Sequence, residues 1–139
     1  MTLQKGHVDD AQRLVGTWRL VSIAGSRLAE YHGENPTGLL WYDDKGRMAV
    51  QIMPDRKRSV YAAALPTPDE ARDALLGYTA YFGTYRLDAE KGTVTHYRTG
   101  NINPGGLGQF VRRYQFLSED TIVLMPVESN SGLTWQRVR

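Results

Sequence analysis

A Gly-x-Trp sequence near the start of the chain most constrains what this protein can fold into. Gly16 and Trp18 lie in a run of β-branched and aromatic residues that is typical of a β-strand. The last predicted strand carries Trp135 and Arg137. In a closed barrel the last strand pairs with the first, so Trp18 would plug one end and Arg137 would cover the indole through a cation–π contact. Gly16 would allow a close backbone approach; an ordinary strand with one core tryptophan is the competing interpretation.

Eight segments have the composition of short strands joined by brief connections. They run over about residues 14–23, 37–42, 47–53, 82–88, 93–99, 109–117, 121–127 and 133–138. This pattern predicts an all-β fold, an eight-stranded up-and-down antiparallel β-barrel. The length of 139 residues predicts a single domain over 1–139, with residues 1–13 as a flexible lead-in.

One helix is predicted between strands three and four. Thr67 is placed to cap it, Pro68 to open its first turn and Glu70 to complete a capping box. Apolar residues three or four apart extend one face to about residue 81: Ala71, Leu75, Tyr78 and Phe82. We expect this amphipathic helix to pack over one end of the barrel.

Composition excludes several classes of function. A net charge of +2, spread along the chain, is too small to indicate nucleic-acid binding. There is no cysteine, hence no disulfide, thiolate metal site or cysteine nucleophile, and the three histidines show no metal-ligand spacing. No apolar run approaches the roughly 18 residues of a membrane span, and the N-terminus lacks a signal-peptide pattern. These features predict a cytoplasmic protein with no membrane or nucleic-acid partner, no metal and no cofactor.

Motifs along nearly the whole sequence carry a family resemblance. They are Leu-Val-Gly-Thr-Trp-Arg-Leu-Val at 14–21, Gly-Leu-Leu-Trp-Tyr at 38–42, Gly-Arg-Met at 46–48 with Gln51, residues 78–85, Gly-Thr-Val-Thr-His at 92–96, Asn-Pro at 103–104 with Gly108, and Arg-Arg at 112–113. In this order they resemble the bacterial and fungal lipocalin-like domain family of small calycin-type barrels. The resemblance implies an internal cavity for a small hydrophobic molecule. Some related barrels catalyse cyclisations or isomerisations without a cofactor.

The hairpin between strands four and five assigns the faces of the barrel wall. Pairing Leu87 with Val94 across the turn places Tyr85 opposite His96, and Gly83 opposite Arg98. The alternate residues are more polar, so the set containing His96 is expected inside. The same alternation places Phe110, Arg112, Tyr114 and Phe116 inside in strand six. For strands two and three the register stays open: Gln51 or Trp41 could face inward, and Trp41 and Tyr42 are expected in the core.

These faces give a set of candidate ligand-binding residues: Tyr85, His96, Arg98, Arg112, Tyr114 and Gln51. Few carboxylates fall on the predicted inner faces, and buried guanidinium groups need partners. The arginines therefore predict a ligand with an acid, phenolate or carbonyl group, or a water-filled cavity; alternatively they reach solvent at the barrel mouth. His96 could be bonded to Tyr85 or a backbone carbonyl, could contact a ligand, could act as a general base, or could be the axial ligand of a haem.

Three functions remain open at this point. The first is a small-molecule-binding barrel for a hydrophobic or aromatic ligand with one acidic, phenolic or carbonyl group. The second is a cofactor-free isomerase, cyclase or hydratase in the same cavity, with His96 as the catalytic acid/base. The third is a protein-interaction module with a filled cavity, and a homodimer is left open. The basic loop 54–58 is expected to be solvated or to rim the opening, and the glycine-rich loop 100–108 to form a flap there.

Overall fold

The computed structural model describes residues 9–25, 29–128 and 131–139. Within these ranges the chain forms eight strands and three short helices. In chain order they are α1 (Asp10–Leu14), β1 (Gly16–Ala24), α2 (Ala29–His32), β2 (Thr37–Tyr42), β3 (Arg47–Met53), α3 (Pro68–Leu75), β4 (Thr79–Asp88), β5 (Thr93–Asn101), β6 (Gly108–Ser118), β7 (Thr121–Pro126) and β8 (Gly132–Arg137). Most of residues 1–13, the predicted lead-in, lies outside the described residues, but Asp10 onward is helical.

The strands close into one antiparallel barrel in which each strand pairs with the next and β8 pairs with β1. The predicted up-and-down barrel is therefore confirmed. The predicted hairpin register is confirmed as well, since Leu87 pairs with Val94 and Tyr85 with His96. Arg112 pairs with Val94 across β5 and β6, which places it on the inner face. The inner face of β6 is thus the one that alternation predicts.

Strands β2 and β3 resolve the register that the sequence left open. Tyr42 is buried, whereas Trp41 is 41% exposed, so the expectation that both are core residues is wrong for Trp41. Gln51 is also exposed, because its neighbours Val50 and Ile52 take the inward positions of β3. Gln51 therefore lies on the outer wall, which corrects its assignment to the ligand-binding set.

One end of the barrel is closed by α1 and by the Gly-x-Trp sequence. Trp18 is fully buried, and its indole N–H donates to the carbonyl of Leu14 at 2.9 Å. The Arg137 guanidinium lies 4.3 Å from the Trp18 ring centroid and donates to the carbonyl of Val15 at 2.8 Å. Gly16 has φ +144°, and a Cβ there would lie 2.8 Å from the Arg137 guanidinium. The geometry at Gly16 thus leaves room for the arginine that covers the indole.

The helix between β3 and β4 is shorter than its apolar spacing predicts. Thr67 and Glu70 form the predicted capping box, but α3 ends at Leu75. Gly77 has φ +82°, and a Cβ there would lie 2.4 Å from the carbonyl oxygen of Tyr31. That left-handed conformation turns the chain into β4, so Tyr81 and Phe82 belong to a strand and not to the helix. No residue of α3 is buried.

The basic loop before α3 binds the C-terminal end of that helix. Arg56 donates to the carboxylate of Asp73 at 2.8 Å and to the carbonyl of Leu76 at 2.7 Å. Arg58 donates to the carbonyl of Ala74 at 3.1 Å and lies 5.1 Å from the Tyr78 ring centroid. Helix C-termini expose unpaired carbonyl groups that favour cations. These two arginines therefore hold α3 in place beside the open end of the barrel.

Candidate functional site

The interior of the barrel contains a cavity of about 380 Å³ that opens at the end opposite Trp18. Apolar side chains form much of its wall: Ile23, Leu40, Val50, Ile52, Leu124, Leu133 and Trp135. Alternation along β1, β2, β3, β7 and β8 directs these residues inward. The volume lies at the lower end of the range for sites that bury a drug-sized molecule. An apolar body of modest size therefore fits the wall.

The mouth of the cavity is formed by loops that follow the strands. Asn101, Ile102 and Asn103 lie at its edge, at the start of the glycine-rich loop. The loop is held by its own hydrogen bonds, since the Asn101 amide donates to the carbonyl of Gly106 at 2.7 Å. His32 of α2 also lines the cavity and is buried. Residues 101–103 of the glycine-rich loop thus lie at the edge of the cavity, and its role as a flap stays a prediction.

His96 lies within the cavity wall, between two tyrosine hydroxyl groups. Its Nε2 is 2.5 Å from the hydroxyl of Tyr42, and its Nδ1 is 2.9 Å from the hydroxyl of Tyr81. Burial, together with the positive charges of Arg112 and Arg98, lowers the pKa of His96 to about 3. The ring is therefore neutral at physiological pH, with both nitrogens engaged. A general base or a haem ligand needs a free nitrogen, and a base also needs a pKa near the working pH.

Arg98 is held between two aromatic rings. Its guanidinium carbon lies 3.9 Å from the ring centroid of Tyr81 and 3.8 Å from that of Phe110. Its Nε is buried, with no hydrogen-bond partner in the described part of the chain. Stacking of this kind fixes the plane of a guanidinium while leaving its N–H groups free to bind an acceptor.

Arg112 is the second cation of the cavity. Burial, followed by the charge of Arg98, lowers its pKa from the ordinary arginine value. One N–H contacts the carbonyl of Val111 at 3.3 Å. No aspartate or glutamate lines the cavity, and neither Arg98 nor Arg112 forms a salt bridge within residues 9–25, 29–128 and 131–139. The interior therefore carries two positive charges without a carboxylate.

The two tyrosines of the predicted site lie elsewhere. The Tyr85 hydroxyl donates to the carbonyl of Asp43 at 2.6 Å, and the Tyr114 hydroxyl donates to the carboxylate of Asp10 at 2.6 Å. Both hydroxyl groups are bonded near the closed end, and neither residue lines the cavity. The structure thus brings together His96, Arg98 and Arg112, but not Tyr85, Tyr114 or Gln51.

Tyr81 and Tyr42 were missed as site residues. Period-two alternation puts Tyr81 on the same inner face of β4 as Tyr85, which pairs with His96 of β5. That shared face was an available signal for Tyr81. Tyr42 had no such signal, because its bond to His96 joins β2 to β5 through the interior and not along a hairpin. Trp135 also lines the cavity, and its buried indole N–H has no acceptor among the described residues.

The comparison with protein families agrees with this geometry. The family model described as Lipocalin-like domain matches residues 15–138. The chain belongs to the lipocalin-like domain family. A search of curated proteins found no match. The lipocalin-like barrel is a ligand-binding scaffold in general, and the cavity described above is where a small ligand would lie.

Two further observations describe what the scaffold offers. In the described part of this lipocalin-like chain, no helix is long and apolar enough to cross a membrane. The same residues contain no cluster of three His, Cys, Asp or Glu side chains that could hold a metal ion. Besides the arginine, tyrosine and histidine side chains, the polar lining of the cavity includes Thr79, Asn101, Asn103 and Ser131.

Proposed function

We propose that this lipocalin-like barrel binds a small molecule with an apolar or aromatic body and one acidic group. The observation that carries the proposal is the pair Arg98 and Arg112, two half-buried cations with no carboxylate among the described residues of the cavity wall. An uncompensated buried charge is costly, whereas an ion pair with a ligand anion supplies the missing partner. The apolar wall supplies contact area for the rest of the molecule.

The arrangement around His96 favours binding over acid/base catalysis by this residue. Its pKa of about 3 keeps the ring neutral, and the hydroxyl groups of Tyr42 and Tyr81 occupy both nitrogens. His96 therefore acts indirectly, through its hydrogen bonds to Tyr42 and Tyr81. The cytoplasmic location and the homodimer stay predictions.

The test uses three probes with the same aromatic body. In calorimetric titrations we expect 2-naphthoate to bind with 1:1 stoichiometry, 2-naphthylmethanol more weakly, and 2-naphthylmethylamine at least about 100-fold more weakly than the acid. Arg98→Met and Arg112→Met should each weaken 2-naphthoate binding by about tenfold or more, because each removes one charge-assisted contact while keeping an apolar stem.

Arg86→Met is the matched control, because Arg86 is exposed on the outer face of β4. We expect it to bind 2-naphthoate as the unchanged protein does. The proposal fails if the amine binds as tightly as the acid, or if the variants at Arg98 and Arg112 behave like Arg86→Met.

A further inference from the structure

The hydrogen bonds of His96 have a direction that the surrounding residues determine. A neutral histidine has one N–H, so one of its nitrogens donates and the other accepts. Two arrangements of the chain Tyr42–His96–Tyr81 are therefore possible. In one, Tyr42 donates to Nε2 and Nδ1–H donates to Tyr81. In the other, Tyr81 donates to Nδ1 and Nε2–H donates to Tyr42.

The environment of Tyr42 decides between them. Tyr42 is 2% exposed, and His96 is its one hydrogen-bond partner among the described residues. Burial raises the pKa of its phenol, so the hydroxyl keeps its proton. If His96 donated to Tyr42, that proton would be buried without an acceptor, which is a costly state for a polar group. With Tyr42 as the donor, both the Tyr42 O–H and the His96 Nδ1–H have an acceptor, so neither proton is buried without a partner.

This direction determines what Tyr81 offers to the cavity. Its oxygen accepts the Nδ1–H of His96, so its own proton points away from the ring and is available to a ligand. Tyr81 lines the cavity, and the Arg98 guanidinium is stacked on its ring. The buried Nε–H of Arg98 and the indole N–H of Trp135, two further residues of this wall, also lack acceptors in the described part of the chain. The polar groups around His96 that lack a partner are hydrogen-bond donors.

We infer that the Tyr42–His96–Tyr81 chain is a one-directional hydrogen-bond relay that makes Tyr81 a donor to the ligand, so that the site selects a carboxylate over a group that must itself donate. This inference rests on the proposed function and adds to it a further binding residue, Tyr81, and two positioning residues, Tyr42 and His96. A carboxylate has only acceptor oxygens and can accept from Tyr81 and both arginines at once. An alcohol or amine brings a proton of its own, which the N–H groups of Arg98, Arg112 and Trp135 cannot accept.

The first test reads the tautomer of His96 without any ligand. In ¹⁵N NMR spectra of the uniformly labelled protein, with the ring assigned through its couplings to the backbone, we expect Nδ1 to carry the proton and Nε2 to be bare. Free histidine prefers the opposite tautomer, so the result reports the protein environment. In Tyr42→Phe the share of the Nε2–H form should rise. A wild-type ring protonated on Nε2, or a Tyr42→Phe ring with an unchanged tautomer, would overturn the relay.

The second test measures affinity for 2-naphthoate. Tyr81→Phe keeps the ring under Arg98 and removes the hydroxyl group, which is both the proposed donor to the ligand and the acceptor of the His96 Nδ1–H. Binding should therefore weaken by about tenfold. Tyr85→Phe is the matched control, because the Tyr85 hydroxyl is bonded to Asp43 near the closed end. Equal affinities for Tyr81→Phe and Tyr85→Phe would refute the role of Tyr81. If 2-naphthoate fails to bind the wild-type protein, the proposed function fails, while the tautomer still decides the direction of the relay.

Discussion

The two ends of the barrel each place arginine against an aromatic ring, but only one end satisfies the charge. At the closed end, Arg137 covers Trp18, donates to the carbonyls of Val15 and Arg13, and lies 3.4 Å from a carboxylate oxygen of Asp120. In the cavity, Arg98 is stacked on two rings, and neither it nor Arg112 has a carboxylate partner in the described residues.

The tyrosines also differ between the closed end and the cavity in whether their hydroxyl groups are paired within the protein. Tyr85 and Tyr114 donate to protein acceptors near the closed end. In the relay that we infer, the oxygen of Tyr81 accepts from His96 and its proton has no such acceptor among the described residues. A polar group paired within the protein stabilises the fold, whereas an enclosed donor without a partner is available to a ligand. The comparison therefore separates the arginine that is paired within the protein from the two cavity arginines that we propose bind a ligand.

The largest expected effect is at the closed end. Arg137→Met removes the cation–π contact, leaves two carbonyls without their donor and breaks the ion pair with Asp120, so the free energy of unfolding should fall by about 3 kcal/mol. Urea unfolding followed by tryptophan fluorescence measures it. Arg139→Met is the control, since Arg139 also bonds Asp120 but is exposed, and it should leave the free energy of unfolding close to that of the unchanged protein. Similar losses for the two variants would contradict a structural role for Arg137.

The next largest effect is a loss of stability at acidic pH, which arises from His96 in the cavity. His96 has a folded pKa of about 3 and an unfolded pKa near 6.5, so the unfolded chain binds more protons between these values. Stability should therefore fall as pH falls through this window, by roughly 1.5 kcal/mol between pH 6.5 and pH 5. The carboxylates of Asp43, Glu70 and Asp73 have lowered pKa values, so their stabilising contribution is lost only below about pH 5.

Urea unfolding at several pH values measures this slope, with His96→Gln as the comparison. The variant should have a shallower slope between pH 6.5 and pH 5 whatever its absolute stability. Equal slopes would show that His96 is not the group that binds the extra proton on unfolding.

Period-two alternation predicted the faces of β4, β5 and β6 because one face of each is visibly more polar. It failed in β2, where Leu39, Leu40, Trp41 and Tyr42 are all apolar or aromatic and give no contrast between the two faces. The structure resolves this by placing Trp41 outside and Tyr42 inside.

Alternation also says whether a side chain faces inward, but not at which height along the barrel. Tyr85 and Tyr114 were assigned to the correct face, yet their hydroxyl groups are bonded near the closed end. The contact of Tyr42 with His96 joins strands that are not neighbours, so no hairpin register could reveal it. Likewise, the apolar spacing predicted a helix that continues past Gly77. The chain instead turns there in a left-handed conformation, close to the carbonyl oxygen of Tyr31, and the spacing cannot show this tertiary contact.

The last prediction concerns whether the cavity arginines bind a ligand or stabilise the fold, and the expected change in stability is small. The measurement is urea unfolding of the wild-type protein and of Arg112→Met, each with and without 2-naphthoate. Without the probe, Arg112→Met should be as stable as wild type or more stable, by up to about 1 kcal/mol, because it removes a partly buried charge that lies near Arg98.

With the probe at about 100 times its dissociation constant, wild type should gain roughly 2.7 kcal/mol and become the more stable of the two. We expect this reversal of order if Arg112 binds the carboxylate of the probe. If Arg112→Met is clearly less stable than wild type without the probe, Arg112 stabilises the fold. If both proteins gain equally from the probe, Arg112 does not bind it.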